Sequence, residues 1–288
     1  MTKPQGLFLP VSPARRLLRR VLEIALARTP VGRWLGAIPF LPNLYAKRVF
    51  ARRDHPRIFT GIYPTYAAAA ADIPPSRSGG WNHDDASTLW VNKIDPVILS
   101  TYPVFFWLSQ LLRQQSVIVD VGGSIGLTYY GYRRYGELPP EVAWIIVELP
   151  KLCEVGRRIA EREGATNLTF TDDLGDAPKC EILLSAGALQ FMEHSIPGLL
   201  ERLPSKPPYL LLNKLPVTPH EDCWTLENFG PAVSPQRLFN ERKFLDYFAG
   251  HGYRLRDRWV VENLDCLIPF HPNHFIKHFS GFLFELVP

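Results

Sequence analysis

Val117-Ile118-Val119-Asp120-Val121-Gly122-Gly123-Ser124-Ile125-Gly126 decides how this chain folds. A short β-branched run carrying one acid breaks into a turn of small residues. The run suits a strand covered on both faces of a parallel sheet, and the glycines let backbone approach a ligand where a Cβ would clash. The turn reads as a cofactor loop at a strand end. A dinucleotide fingerprint needs G-x-G-x-x-G, and no register of Gly122, Gly123 and Gly126 supplies it. The spacing present is Asp120-x-Gly122-x-Ser124-x-Gly126.

Working outward, Ala143-Trp144-Ile145-Ile146-Val147-Glu148 is a second buried strand ending in a carboxylate, 22 residues after Gly126. A carboxylate there can accept both hydroxyls of a ribose. Pro150 opens an amphipathic helix with Leu152, Val155 and Ile159 on one face and Gly164 as its stop. Asn167 to Thr171 is a third strand running into Asp172-Asp173-Leu174, Glu181 to Met192 repeats the strand-then-helix rhythm, and Tyr209 to Lys214 is another buried strand. Arg254 to Glu262 and Phe279 to Val287 are two late strands with no helix between them. Alternating strands and helices imply a parallel sheet with helices on both faces.

The loop, with Ser124 in the place of a middle glycine, resembles the first motif of class I S-adenosylmethionine-dependent methyltransferases. Phe59-x-Gly61-x-Tyr63, Asp120 to Tyr130, Ile146 to Pro150, Leu189-Gln190-Phe191 and Gly252 to Leu255 before Trp259 resemble more closely a bacterial family of methyltransferase-like proteins of unknown substrate. The resemblance spans roughly residues 58–288. It implies a Rossmann-like α/β fold: a mostly parallel seven-stranded sheet with one antiparallel strand near the C-terminus, helices on both faces and an N-terminal helical extension. It implies S-adenosyl-L-methionine as cofactor, held by Asp120, Gly122, Gly123, Ser124, Gly126, Glu148, Leu149, Asp172, Asp173, Leu174, Ser185 and Gln190. The Asp172 to Leu174 turn would lie against the adenine and Gln190 near the sulfonium. Ser124 and Gln190 depart from the wider pattern, the latter standing where many relatives carry histidine.

With 288 residues and 46% hydrophobic content the chain can bury one sizeable core plus an appendage. We expect a basic helical extension over 1–57 and a catalytic domain over 58–288. Cys153, Cys180, Cys223 and Cys266 form no C-x-x-C pair and read as reduced thiols. His271, His274 and His278 lack an H-E-x-x-H carboxylate and have Pro272 among them, so no metal is expected.

The net charge of +4 conceals an asymmetry, because residues 1–58 hold twelve Lys/Arg against Glu23 and Asp54 and leave the remainder acidic. Ser12 and Pro13 make a helix start, and Leu17, Leu18, Val21, Leu22 and Ala25 line one face. No apolar run reaches the roughly 18–20 residues of a membrane span, and early arginines interrupt any signal-peptide core. Two readings of residues 12–28 stand side by side: an interfacial helix drawn to anionic lipid, and a solvated helix docked on the acidic domain. A cytoplasmic location follows, at the inner face of the membrane under the first reading. Nucleic acid is not expected as a partner, since the basic stretch carries no recognised binding motif.

Methyl transfer is an in-line displacement, so the protein chiefly aligns the acceptor and excludes water, and a hydroxyl acceptor also needs a base. His220, in the loop Val217 to Asp222, is the base preferred. Gly79 to Asp85 reads as a glycine-hinged lid carrying Trp81 and His83. Tyr129 and Tyr130 either flank the methyl group or pack in the core, and Asn213 joins them on the acceptor side. The expected reaction is O-methylation of a small hydroxylated metabolite or a lipid-linked sugar. A silent scaffold on the same fold is the alternative, and a nucleotide-sugar or NAD enzyme the more remote one. Gly122→Val is expected to abolish cofactor binding by filling space that backbone and cofactor share.

Overall fold

The structure, a computed structural model, describes residues 13–82, 99–193 and 196–287. Among these the strands run β1 (Ile58–Tyr63), β2 (Ser78–Gly79), β3 (Val117–Val121), β4 (Ala143–Val147), β5 (Leu168–Thr171), β6 (Ile182–Ala186), β7 (Tyr209–Leu215), β8 (Val217–Thr218), β9 (Cys223–Asn228), β10 (Ala232–Asn240), β11 (Tyr253–Val261) and β12 (Phe279–Leu286). The helices are α1 (Pro13–Arg28), α2 (Pro30–Gly36), α3 (Phe40–Tyr45), α4 (Tyr66–Ala71), α5 (Tyr102–Leu111), α6 (Leu127–Tyr135), α7 (Pro150–Arg162), α8 (Ile196–Glu201) and α9 (Glu241–Gly250).

Two compact units divide the chain. One comprises Met1–Gly79, Trp224–Pro235 and Cys266–Phe275, the other Gly80–Cys223, Gln236–Asp265 and Ile276–Pro288. The first unit thus extends past residue 57 to Gly79 and takes in two later segments. The reason is pairing: β1 runs antiparallel to β9, with Ile58 opposite Asn228 and Phe59 opposite Glu227. The 224–228 and 232–235 segments and β2 complete that sheet, in the order β1-β9-β10-β2. This second sheet was not foreseen.

In the first unit Phe50, Ile58, Trp224, Leu226 and Val233 form a small core. Arg77 is buried beside it without a carboxylate and donates to the Ala51 carbonyl at 3.0 Å and to Asn228 Oδ1 at 3.1 Å. Asn228 Nδ2 in turn donates to the carbonyls of Phe50 and Arg52. Buried polar groups persist only when so satisfied, and this pair ties together segments far apart in sequence.

The second unit is built on a seven-stranded sheet of order β11-β12-β7-β6-β3-β4-β5. β12 alone runs antiparallel to its neighbours β11 and β7, and the strands from β7 through β5 are mutually parallel. This is the Rossmann-like architecture expected of the chain. Alternation sends Val119 and Val121 to one face, against Phe244 and Phe248 of α9, and Ile118 to the other, against Val104 and Leu108 of α5 and Tyr129 and Tyr132 of α6. Pro150 occupies the first turn of α7 and Gly164 ends it at φ +61°. The segment after β6 departs from expectation: it forms a single 3₁₀ turn, Leu189–Phe191, after Gly187 at φ +104°. Cys153, Cys180, Cys223 and Cys266 are free and buried, and burial pushes the Cys153 thiol up to about 11. Among the described residues no helix is long and apolar enough to cross a membrane, and no group of His, Cys, Asp or Glu could hold a metal ion.

Candidate functional site

The strand order reverses at β3. From there the chain proceeds to β4 and β5 on one side, and β6 and β7 lie on the other. Open α/β sheets bind ligands where strands diverge in this way, at their carboxyl ends. The loops converging there are 122–126, 148–149, 172–176, 187–191 and 216–222.

Gly122 takes φ +71° and Gly126 takes φ +99° as it caps α6. The Gly122 N–H donates to the Val147 carbonyl at 2.8 Å, and Ser185 Oγ donates to the Val121 carbonyl at 2.8 Å. Ser185 thus staples β6 to β3 and is wholly buried. A Cβ at Gly122 would stand 2.0 Å from the Ala188 Cβ, and one at Gly123 would stand 2.6 Å from the Asp120 carboxylate. The glycines are required by the packing of the loop itself, so the consequence expected of Gly122→Val changes from a blocked ligand to a disrupted loop.

Asp120 is completely buried at the end of β3. Trp144 Nε1 donates to its Oδ2 at 3.2 Å, and its Oδ1 has no partner. Burial pushes its pKa up to about 7, against the smaller opposing effects of the Trp144 hydrogen bond and the Lys214 charge. Glu148, half-buried, is likewise pushed up to about 7, first by desolvation and then by the Asp120 charge, while the Leu149 N–H donating to its Oε2 at 3.0 Å acts in the other direction. Two buried polar atoms accompany Asp120 Oδ1 without a partner: Ser124 Oγ in the glycine turn and Gln190 Oε1 in the 189–191 turn.

Ser124 sits at φ +56°. A left-handed non-glycine residue costs about 1–2 kcal/mol, whereas glycine costs roughly 0.5–1 kcal/mol in unfolded-chain entropy. Ser124→Gly is therefore expected to raise the unfolding free energy by about 0.5–1 kcal/mol in a denaturant titration. A destabilised variant would mean that the hydroxyl has a partner in the fold.

In the turn after β5, Asp173 Oδ1 accepts from the Gly175 N–H at 2.8 Å and from Arg202 Nη2 at 2.6 Å, bonds that hold its pKa below the usual carboxylate range. Leu174 is buried in the core with Val121 and Val147. Asp172 and Asp176 are exposed acids of the same turn, and Leu149 is exposed in the loop after β4. Of the residues expected to meet the acceptor, Tyr129 is core: its OH donates to Asn167 Oδ1 at 2.6 Å and its ring packs edge-on to Trp144. Tyr130 is half-buried against Ile125 and Leu152, its hydroxyl pushed up to about 12 by burial. Asn213 bridges the sheet, donating to the Ser100 carbonyl at 2.7 Å and accepting from Trp259 Nε1 at 3.0 Å. Trp81 packs edge-on to Phe191 at 5.8 Å, which places it over the 189–191 turn. His83 lies outside the described residues. His220 is on an exposed loop whose backbone is held by Thr218 Oγ1 and by Asn240 Nδ2.

Two further residues belong to the site. Trp144 was read only as strand, although a buried indole N–H requires an acceptor. Lys214 follows Asn213 at a bulge, where Leu215 faces Ser280 and Leu212 faces Phe282, and its φ of +61° is strained for lysine. Its side chain runs alongside Gly187, and its charge acts on Asp120. Around Asp120 the edge thus brings together the half-buried Glu148 carboxyl, the Lys214 charge, and the Asp120 Oδ1, Ser124 Oγ and Gln190 Oε1 atoms that lack a partner among the described residues.

No family model matches the chain, and no curated protein matches its sequence. Among solved structures it is similar to a Burkholderia thailandensis 1,6-didemethyltoxoflavin-N1-methyltransferase with bound 1,6-didemethyltoxoflavin and S-adenosylhomocysteine, at 15% identity and TM-score 0.46 over 71% of this chain and 83% of that one. It is similar to a SAM-dependent methyltransferase from Aquifex aeolicus, at 15% identity and TM-score 0.45 over 70% and 98%. A tRNA methyltransferase of B. subtilis is similar at 13% identity and TM-score 0.42 over 67% of each chain. At these TM-scores the similarity assigns neither substrate nor residue roles to this chain.

Proposed function

We propose that the chain is an S-adenosylmethionine-dependent methyltransferase acting on a hydroxyl acceptor. The observation that carries the reading is the set of buried polar atoms at the strand switch point: Asp120 Oδ1, Ser124 Oγ and Gln190 Oε1 have no partner among the described residues, and the Asp120 and Glu148 carboxyls have pKa values pushed up to about 7 by burial. Such an edge suits a ligand that brings positive charge and hydroxyl donors, as the sulfonium, α-amino group and ribose of this cofactor do. It disfavours a dinucleotide, whose diphosphate would meet two acids and no glycine-rich phosphate fingerprint.

Glu148 would accept the ribose hydroxyls, Asp172 and Leu149 would flank the adenine, and Asp120, Ser124 and Gln190 would face the amino-acid end. When bound, the cofactor supplies an activated methyl group. The chain's own contribution is alignment, exclusion of water by the loops over β6 and β7, and proton removal from the acceptor, for which His220 is our candidate. The acceptor class we favour is a small hydroxylated metabolite or a lipid-linked sugar. An RNA is kept beside them in the screen, because the case against nucleic acid rests on the sequence alone.

The test is calorimetric titration with S-adenosylhomocysteine, with NAD⁺ in parallel. Micromolar binding of the first alone is the expected result, and His220→Ala should then retain binding while turnover falls by about 10²–10⁴. Binding of NAD⁺, or of neither, would overturn the reading, the latter in favour of a scaffold.

A further inference from the structure

Helix α1 is amphipathic, and it is turned the opposite way from a helix of a water-soluble core. Leu17, Leu18, Val21 and Leu22, at i, i+1, i+4 and i+5, share one face at 3.6 residues per turn, and all four are exposed, Leu18 at 71%. The opposite face carries Glu23, only 5% exposed, together with buried Leu26 and Ala27. Glu23 pairs there with Arg19 at 3.2 Å and Arg20 at 3.7 Å. The face of α1 that packs on the rest of the first unit is thus the Glu23 face, and the leucine face is left exposed.

Helices α2 and α3 also expose apolar side chains. Trp34 is 74% exposed and Phe40 64%, with Val31 and Leu44 also exposed. Soluble surfaces scatter such residues singly, and their density on three successive helices points to an interaction face. The charge there is one-sided: Arg28 and Arg33 are exposed on α1 and α2, Lys47 and Arg48 on the helical segment Ala46–Phe50 that follows α3, and the one acid between residues 13 and 50 is Glu23, turned inward. Leucines with an exposed tryptophan and a basic rim fit an anionic bilayer, into which the apolar side chains sink while the arginines meet lipid phosphates.

We propose that α1 to α3 form a membrane-docking face that seats the protein on anionic lipid. Charge complementarity selects that occupant over a second copy of the chain, because two copies of a basic rim would repel. The inference does not depend on the cofactor reading and can fail or succeed apart from it.

The full chain is tested by flotation with phosphatidylcholine vesicles and with vesicles in which part of that lipid is replaced by phosphatidylglycerol. Each basic side chain reaching the surface contributes about a fivefold gain, so recovery with anionic vesicles should exceed recovery with neutral ones by at least about tenfold and should fall at high salt. Leu18→Glu with Trp34→Glu should lower binding at least about tenfold. Arg33→Glu with Lys47→Glu and Arg48→Glu should remove the preference for anionic lipid. All five positions are exposed, so circular dichroism should show unchanged thermal unfolding for both variants. Equal recovery from neutral vesicles, recovery from neither, or a concentration-dependent dimer in sedimentation that Leu18→Glu and Trp34→Glu abolish would each overturn the proposal.

Discussion

Gly122→Ala is expected to lower the unfolding free energy by about 2–5 kcal/mol without any ligand present, the sum of a left-handed backbone penalty of about 1–2 kcal/mol and an overpacking penalty of about 1–3 kcal/mol. The new methyl would stand 2.0 Å from the Ala188 Cβ, and no rotamer moves a Cβ. Ala188→Gly removes that atom and leaves φ +71° untouched. The double variant should therefore recover the steric part and keep the backbone part. A double-mutant cycle in denaturant should show coupling of at least about 1 kcal/mol between the two positions. Coupling near zero would show that the 187–191 loop yields freely and would leave the φ of +71° as the structural reason for glycine.

The second large effect concerns pH. Asp120 and Glu148 titrate near 7 in the fold, against 3.8 and 4.5 as the ordinary values. A raised folded pKa means that the native state holds its protons longer than the unfolded chain does. Stability therefore falls as pH rises from about 4 to about 7 and is level above that. At about 1.4 kcal/mol per unit, the ionised Asp120 destabilises the fold by up to roughly 4 kcal/mol. Asp120→Asn abolishes this but buries an amide without a full set of partners, at about 1–3 kcal/mol. The variant should thus be about 1–3 kcal/mol more stable than the wild type at pH 8, an advantage that falls with pH and reverses to a deficit approaching about 1–3 kcal/mol near pH 4, where the wild-type carboxyl is protonated in the fold. It should also bind S-adenosylhomocysteine more weakly. For the wild-type protein, affinity for this ligand, whose α-amino group is cationic, should rise between pH 6 and 8 as the two carboxyls ionise. A flat affinity profile together with a less stable Asp120→Asn would remove both acids from the site.

The sheet of the second unit was readable because its strands are apolar runs closed by glycine, proline or an acid: Val117 to Gly122 and Ala143 to Glu148 end where the ladder ends, and the run from Tyr209 read as far as Lys214 extends one residue further to Leu215, before Pro216. The cofactor edge was readable for the same reason, since a carboxyl or glycine at the end of a buried run has few structural uses. The sheet of the first unit was not legible. Cys223-Trp224-Thr225-Leu226-Glu227-Asn228 mixes polar and apolar residues without period, yet all six are buried. Their partners lie far away in sequence, Thr225 Oγ1 donating to the Thr60 carbonyl across a separation of 165 residues. Ser185, Asp173 and Asn213 show the complementary limit: residue type indicated polar chemistry, and only geometry revealed that their side chains are engaged in holding the strand ends together.

Long separation within the first unit also sets an order in time. Strand β1 leaves the ribosome long before the strand it pairs with. At roughly 5–20 residues per second, the delay is on the order of 10–30 s. Throughout that interval the edge of β1 is unpaired, while the uninterrupted β3 to β7 run can begin to assemble as it emerges. Native pairing of β1 waits on a strand made 165 residues later, and this part of the protein closes like a clasp whose two halves are made far apart in the production run.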